Sequence, residues 1–375
     1  MKPSREMRTR IIIVFVLLFG IKTSIFAQKY LGGDISLLPS YEDAGAVYRD
    51  SCGKIIKPIK YLREQGWNAI RVRLFVNPKN ALQEHKDEGV CQDLAYVIKL
   101  SKRIKKEGFK LMLDIHYSDT WADPSKQFIP KSWSGISSVT LLCDTVYEYT
   151  RHCLKEMAAS GTTPDFIQVG NEISYGMLWP IGKIDPQKNE NWNVLTALLK
   201  SGTKACREIC PLAKIIIHTE RAGEWNMTKS YYEYLRQYHV DYDIIGLSYY
   251  PMWHKGLSVL ANTLESLSVI FPEKKIMIVE TAFYYSHKKD KWAKNPDEYS
   301  YLYPISDQGQ SKFTSQLTTE LNRHKNVSGL FWWFPEENGY KNDILKCWIN
   351  RGLFNNETGK AQPALYLMKN FIQNQ

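Results

Sequence analysis

The chain has 375 residues with a formal net charge of +10, and 44% of them are hydrophobic. That is long and apolar enough for one large domain or two ordinary ones, and it excludes a disordered protein. The basic residues are spread along the chain without a Lys/Arg block, which argues against nucleic acid as a partner.

At the N-terminus Lys2, Arg5, Arg8 and Arg10 precede an apolar run from Ile11 to Ile21 broken only by Gly20, and small or neutral residues lead on to Ala27. This is the order of a secretory signal peptide. The run is too short for a stable membrane span, so cleavage near Ala27 is expected, although Ile25 is an imperfect fit three positions before it. Residues 1–27 are then the signal, and 28–375 a single mature domain that does not insert into the membrane. Removing five basic residues and one acidic one lowers the net charge from +10 to +6. No cysteine follows the apolar run closely, so no lipid anchor is expected, and the destination is the periplasm, the medium or the cell surface. The seven cysteines, Cys52, Cys91, Cys143, Cys153, Cys206, Cys210 and Cys347, leave at least one thiol free if the others pair within the chain. Their connectivity is not readable.

Beyond Tyr30 short apolar runs alternate with amphipathic ones. Tyr30 to Ser36 contains Gly32-Gly33-Asp34, and a helical stretch from Lys54 to Gln65 ends at Gly66. Asn68 to Val76 is a strand by its β-branched content, with Arg71 and Arg73 on one face. A helix from Gln92 to Glu107 ends at Gly108. The third strand, Lys110 to His116, runs into a loop with Asp119 and Trp121. A helix from Ser138 to Ala159 leads to the apolar run Phe166 to Val169, which ends in Gly170-Asn171-Glu172. A helix from Trp192 to Ile209 precedes strands at Lys214 to Thr219 and Ile244 to Tyr250, and the latter is followed by Pro251 and Trp253. A helix from Ser258 to Phe271 leads to Lys275-Ile-Met-Ile-Val-Glu280. A long polar segment from Phe283 to Ser306, an eighth strand from Val327 to Phe334 and a closing helix from Pro363 to Ile372 complete the chain.

Eight strand–helix pairs without a linker predict an α/β fold, a single-domain (β/α)8 TIM barrel. The competitor is an open doubly wound sheet, which would normally show a Gly-rich phosphate turn after its first strand; Gly32-Gly33-Asp34 is not that motif. In a barrel the strand C-termini converge on one face. Here they offer Asp34, Arg71, Arg73, His116, Asn171, Glu172, His218, Tyr250, Glu280 and Trp333. Taken singly each has an ordinary explanation: Arg71 as the partner of a buried carboxylate, His116 and His218 as satisfied core histidines, Glu172 as a cap. Two buried strands ending in glutamates are nevertheless what a retaining glycosidase on a barrel needs. No metal is required, and no three- or four-ligand spacing appears. A structural calcium in a loop stays open without a clear motif.

Several blocks together resemble glycoside hydrolase family 53 over about residues 30 to 365. They are Gly33-Asp-Ile-Ser36, Arg71-Val-Arg73, Asn77-Pro78, Asp114-Ile-His-Tyr-Ser-Asp-Thr-Trp-Ala-Asp-Pro124, Gln168-Val-Gly-Asn-Glu-Ile173, Leu178-Trp-Pro-Ile-Gly182, Gly246-Leu-Ser-Tyr-Tyr-Pro251 and Val279-Glu-Thr-Ala282. The resemblance implies an endo-β-1,4-galactanase acting as a monomer on galactan or arabinogalactan, with no cofactor. It implies Glu172 as acid/base and Glu280 as nucleophile, with carboxyls about 5–5.5 Å apart. The negative charge of Glu280 is expected to raise the pKa of Glu172. Arg71 and Tyr250 are expected to hold Glu280, Asn171 to bond the sugar's 2-hydroxyl, His116 to line the reacting subsite and Trp333 to form its floor. Asp34, Asp119 and His218 are expected in substrate binding, with Trp121, Trp179 and Trp253 as platforms for further sugars.

The sequence departs from the family where Glu-Pro is usual, reading Phe334-Pro335-Glu336-Glu337, and in the segment Thr219 to Trp225. The glutamates do not by themselves select galactan over mannan, xylan or β-glucan. A non-catalytic carbohydrate-binding barrel would be expected to have lost one of them.

Overall fold

The computed structural model describes residues 28–292, 295–340, 345 and 347–373. The expected signal segment, 1–27, lies outside the described residues. Strands β1 (Tyr30–Asp34), β2 (Ala69–Leu74), β3 (Lys110–Ile115), β4 (Phe166–Val169), β5 (Lys214–Thr219), β6 (Ile244–Tyr249), β7 (Lys275–Thr281) and β8 (Val327–Trp333) are parallel, each bonded to its neighbours in sequence, and β8 closes on β1. The barrel expected from the alternation is what forms.

The period-two geometry of a strand decides what each face carries. In β2, Ile70, Val72 and Leu74 enter the layer between sheet and helices. Ala69 turns inward, where it packs with Met112, Phe166, Ile216, Ile244, Met277 and Phe331 in the barrel's lower half. Arg71 and Arg73 share the parity of Ala69, as Asp114 shares that of Met112, Gln168 that of Phe166, His218 that of Ile216 and Ser248 that of Ile244. The barrel interior is therefore apolar at the bottom and polar and charged at the top. Gly32 shows how tightly β1 meets β2: an added Cβ would stand 2.3 Å from the carbonyl oxygen of Ala69.

The helices that cover the barrel are α1 (Pro58–Glu64), α2 (Leu94–Lys106), α3 (Val139–Ala159), α4 (Trp192–Ile209), α5 (Trp225–Gln237), α6 (Leu257–Ile270), α7 (Asp307–Asn322) and α8 (Pro363–Leu367). In α2, Asp93 caps the N-terminus by accepting from the amide of Tyr96 at 2.9 Å, and Val97, Leu100, Ser101 and Ile104 form the buried stripe. Gly108 and Gly161, with φ of +76° and +71°, turn the chain out of α2 and α3.

Some expectations need adjustment. The helix starting near Lys54 begins at Pro58, and the closing helix is two short ones, Pro363–Leu367 and Asn370–Gln373. A two-stranded ribbon, Gly176–Met177 with Gly182–Lys183, follows β4. Helices α5 and α7 have weak signatures because residues with polar groups share their buried faces. Thr228, Tyr231 and Tyr232 accompany Leu235 in α5, and Gln310, Thr314 and Thr318 interrupt Phe313, Leu317 and Leu321 in α7. All seven cysteines are free. Among the described residues no helix is long and apolar enough to cross a membrane, and no group of three or more His, Cys, Asp or Glu is placed to hold a metal ion.

Candidate active site

Strand ends and loops on the C-terminal face enclose a cleft of about 490 Å³ lined by, among others, Glu172, Glu280, Arg71, His116, Tyr250 and Trp333. The turn bearing Glu172 is unusual backbone. Gly170 has φ +84° and Glu172 φ +48°, a left-handed conformation that costs a non-glycine residue energy and tends to persist where function demands it.

The buried guanidinium of Arg71 organises one wall. Its Nη1 donates to Asp34 Oδ2 at 2.9 Å, and its Nη2 reaches Asp114 Oδ2 at 2.7 Å, Asn171 Oδ1 at 2.8 Å and Glu280 Oε1 at 2.9 Å. Burial works against its charge, but Asp114, Glu280 and Asp34 more than offset that and hold it protonated. The second oxygen of Glu280 accepts from the hydroxyl of Tyr250 at 3.0 Å. Among the described residues Glu172 has no ionic partner of that kind; its Oε1 accepts from Ser248 Oγ at 2.6 Å.

This asymmetry separates the two carboxyls. Burial pushes Glu280 up to about 7, against the pull of Arg71 and Tyr250. Burial also pushes Glu172 well above the carboxylate range, and the charges of Glu280 and Glu220 add to that. The direction matches the expectation, but burial is the larger cause and repulsion by Glu280 the second. Glu172 keeps its proton to higher pH than Glu280 does.

The other expected residues fall into groups. His116, Trp121, Asn171, Trp253 and Trp333 line the cleft. His116 has both ring nitrogens engaged: Nδ1 accepts from the amide of Ala122 at 3.0 Å, and Nε2 lies 2.9 Å from Asp114 Oδ2. It therefore presents a carbon edge to the cleft. The amide nitrogen of Asn171 uses one hydrogen on the carbonyl of Ala122, at 2.8 Å, and has a second to offer. Trp253 is 48% exposed and stands edge-on to Tyr250. Trp121 packs against the guanidinium of Arg73, which also lies against the ring of Phe334, at 4.5 and 4.6 Å, and the two rings meet edge-on.

Four expected residues do not line the cleft. Asp34 and His218 are fully buried behind it. Asp34 accepts from Arg71 and from the amide of Ser36; the charges of Arg73 and Arg71 outweigh its burial and hold it below the usual carboxylate range. His218 is kept neutral by burial and by Arg71, and bonds Ser248. Asp119 is a loop pin: it accepts from the amides of Asn77 and Lys131, each at 2.9 Å, and from Asn80 Nδ2 at 3.0 Å. It ties the loop after β2 to the loop after β3, and those bonds occupy the carboxylate. Trp179 lines a neighbouring groove with Tyr175, Lys183 and Asp185, which meets the cleft at Pro124 and Ser125.

The expectations also omitted residues. Ser248 stands two before Tyr250, and strand parity could have found it. Glu220 and Arg221 come from the atypical segment after β5. Trp292 and Trp348 carried no local signal, because a loop contact brings them in. Their rings stack at 6.1 Å, while Asp290 pairs with Arg351 at 2.5 Å and Lys291 with Glu88. Glu336 and Glu337 turn away from the cleft: Glu336 accepts from the amide of Leu37 and Glu337 from Asn356 Nδ2.

Comparison with known proteins agrees across the whole fold. The model of glycosyl hydrolase family 53 matches residues 30–368. A probable arabinogalactan endo-β-1,4-galactanase A of Aspergillus terreus is 33% identical over 318 residues, 82% of this chain and 86% of that one. The catalytic domain of an Ignisphaera aggregans protein of the same family superposes with a TM-score of 0.82 at 30% identity, covering 93% of this chain and 96% of that one. A structure described as one of two fungal β-1,4-galactanases gives 0.78 at 28% identity, covering 92% and 99%.

Proposed function

We propose that this chain, which belongs to glycosyl hydrolase family 53, is an exported, monomeric endo-β-1,4-galactanase that cleaves galactan or type I arabinogalactan with retention of configuration. The observation that carries the reading is the unequal footing of two glutamates in one cleft. Glu280 is gripped by Arg71 and Tyr250, and Glu172 is bonded by the neutral hydroxyl of Ser248. The galactan substrate comes from the fungal relatives, and export from the N-terminal basic and apolar run.

In the first step an oxygen of ionised Glu280 bonds to the anomeric carbon as the bond to the leaving oxygen breaks, and Glu172 gives that oxygen its proton. In the second, a water loses a proton to Glu172, its oxygen bonds to the anomeric carbon, and Glu280 departs as a carboxylate. Arg71 and Tyr250 fix Glu280 for in-line attack. The free amide hydrogen of Asn171 faces the 2-hydroxyl, a contact that tightens in the transition state. Trp333 forms the floor under the reacting sugar, the carbon edge of His116 its side, and Trp121 and Trp253 stack on further sugars. Asp34, Asp119 and His218 support this machinery from behind. The chemistry uses only these carboxylates and needs no cofactor.

The test is reducing-sugar release from unbranched β-1,4-galactan, with mannan, xylan and β-glucan as controls, by the wild type and Glu280→Gln. Galactan cleavage that the substitution abolishes is expected, with β-anomeric ends appearing first by proton NMR. Cleavage of another glycan instead would overturn the substrate, and α-anomeric ends would overturn the retaining mechanism.

A further inference from the structure

The segment after β5 brings a third carboxylate into the cleft. Glu220 immediately follows the strand's last residue, is 5% exposed and lines the same cleft as Glu172 and Glu280. Ser174 Oγ donates to its Oε2 at 2.8 Å, and Arg221 Nε stands 2.8 Å from its Oε1. Ser174 belongs to the turn that carries Glu172, two residues further on. Arg221 lies over the ring of Tyr175 in that turn, at 4.9 Å, and donates from Nη1 to Glu224 at 2.8 Å. Glu220 thus grips the turn of Glu172 from the neighbouring strand.

The charges around this corner are unbalanced. Glu172 is faced by Glu280 from β7, Glu220 from the loop after β5, Asp123 from the loop after β3 and the hydroxyl of Ser248 from β6. Glu220 is faced by Arg221 and Glu224 of its own segment, by Ser174, and by the neutral phenols of Tyr231 and Tyr232 on α5. His254, beside Arg221, is held neutral by burial, at about 4. Arg221 is shared between Glu220 and Glu224, and Lys126 pairs with Asp123, so among the described residues Glu172 itself has no cation in direct contact at this corner.

We propose that Glu220 is a positioning residue for the acid/base step: it clamps the Glu172 turn through Ser174, and its charge keeps the proton on Glu172. The inference rests on the reading of Glu172 as acid/base. Of the two neighbouring carboxyls, Glu220 ionises first, because Arg221 and Ser174 stabilise its anion. Burial raises it to about 7 against that pull, whereas Glu172 is driven well above its usual range. The leaving group departs on the side of Glu172, so Glu220 and Arg221 also border the space that the departing sugar occupies.

The test is the pH dependence of kcat/KM for wild type, Glu220→Gln and Glu220→Asp, on a β-1,4-galacto-oligosaccharide and on an aryl β-1,4-galactobioside whose phenol leaves without a proton. Removing the charge is expected to move the basic limb on the oligosaccharide about one pH unit lower. The acid limb should stay in place, and Glu220→Asp should restore the wild-type profile. The aryl substrate should show no such shift. A uniform loss at every pH with the basic limb unmoved would reduce Glu220 to a structural clamp and overturn the proposal. Failure of the underlying reading looks different: Glu172→Gln would then lose as much activity on the aryl substrate as on the oligosaccharide.

Discussion

Ser248 Oγ lies 2.6 Å from Glu172 Oε1 and 2.8 Å from Nε2 of His218. The direction of these bonds follows from the imidazole. His218 is neutral, and the amide of Glu172 approaches its Nδ1 at 3.4 Å as a donor. The ring proton then sits on Nε2 and is donated to Ser248, whose own hydrogen is left for the Glu172 carboxylate. Asn171 Oδ1, 3.0 Å from Nδ1, already accepts from Arg71. Glu172, Ser248 and His218 therefore form one hydrogen-bonded chain, whereas Glu280 is held separately by Arg71 and Tyr250.

Replacing Ser248 by Ala removes a hydroxyl that stabilises ionised Glu172. A hydrogen bond to a charged group is worth about 1.5–3 kcal/mol, so the Glu172 proton should be held about one to two pH units more tightly. The basic limb of kcat on galactan should move to higher pH, and release of the glycosyl-enzyme should slow. Pre-steady-state release of the first product would reveal that slowing as a burst. A profile identical to wild type would remove Ser248 from the acid/base system.

Arg71→Met should destabilise the fold as well as the activity. Asp34, Asp114 and Glu280 all converge on this guanidinium; Asp34 would keep Arg73, but Asp114 and Glu280 would be left buried without their cation. Breaking a buried ion pair costs about 3–5 kcal/mol. Urea unfolding should show a loss of that order, smaller in acid, where the stranded carboxyls can protonate. A loss that does not depend on pH would contradict this account.

The buried carboxyls predict how stability varies with pH. Glu337 is pushed up from 4.5 to about 7 by burial, against Arg351 and Asn356. A carboxyl whose folded value is raised stabilises the fold fully below its unfolded value, and that contribution is lost as pH rises through the folded one. Melting temperature should therefore fall between pH 4.5 and 7. Asp34, shifted the other way, acts only below its ordinary 3.8, outside this window. Glu337→Gln keeps the acceptor for Asn356 but no longer titrates, so its melting temperature should fall less steeply. Equal slopes would mean that Glu337 is ionised throughout.

Asp119→Ala separates a loop pin from a substrate contact. The carboxylate holds two amides and Asn80, so its loss should cost about 1–3 kcal/mol of stability. Once the protein is folded, KM and kcat should change little. A large rise in KM with unchanged stability would return Asp119 to the substrate.

The order of strands and helices was legible from local chemistry. Apolar runs, helix-ending glycines and period-two alternation are properties of neighbouring residues, and a closed barrel turns them directly into a polar upper face. Glu172, Glu280 and Tyr250 were legible for that reason, since each sits at a strand end, and Arg71 because it has the inward parity of its strand. Helix α7 has a blurred apolar stripe, because its buried face carries threonines bonded to carbonyls of the helix itself and Gln310 bonded to the carbonyl of Phe283. Only the folded chain decided which strand-end residues face the cleft. His218 and Asp34 have the right parity but lie behind it, and Asp119 is consumed by backbone amides. Only the fold could bring Glu220 against the turn of Glu172, or stack Trp292 on Trp348. Those partners are far apart in sequence, and no local periodicity encodes contacts between loops from different strands. Sequence alone placed the reacting groups at the ends of particular strands; tertiary packing decided which of them keeps its proton, because burial and distant charges set that balance.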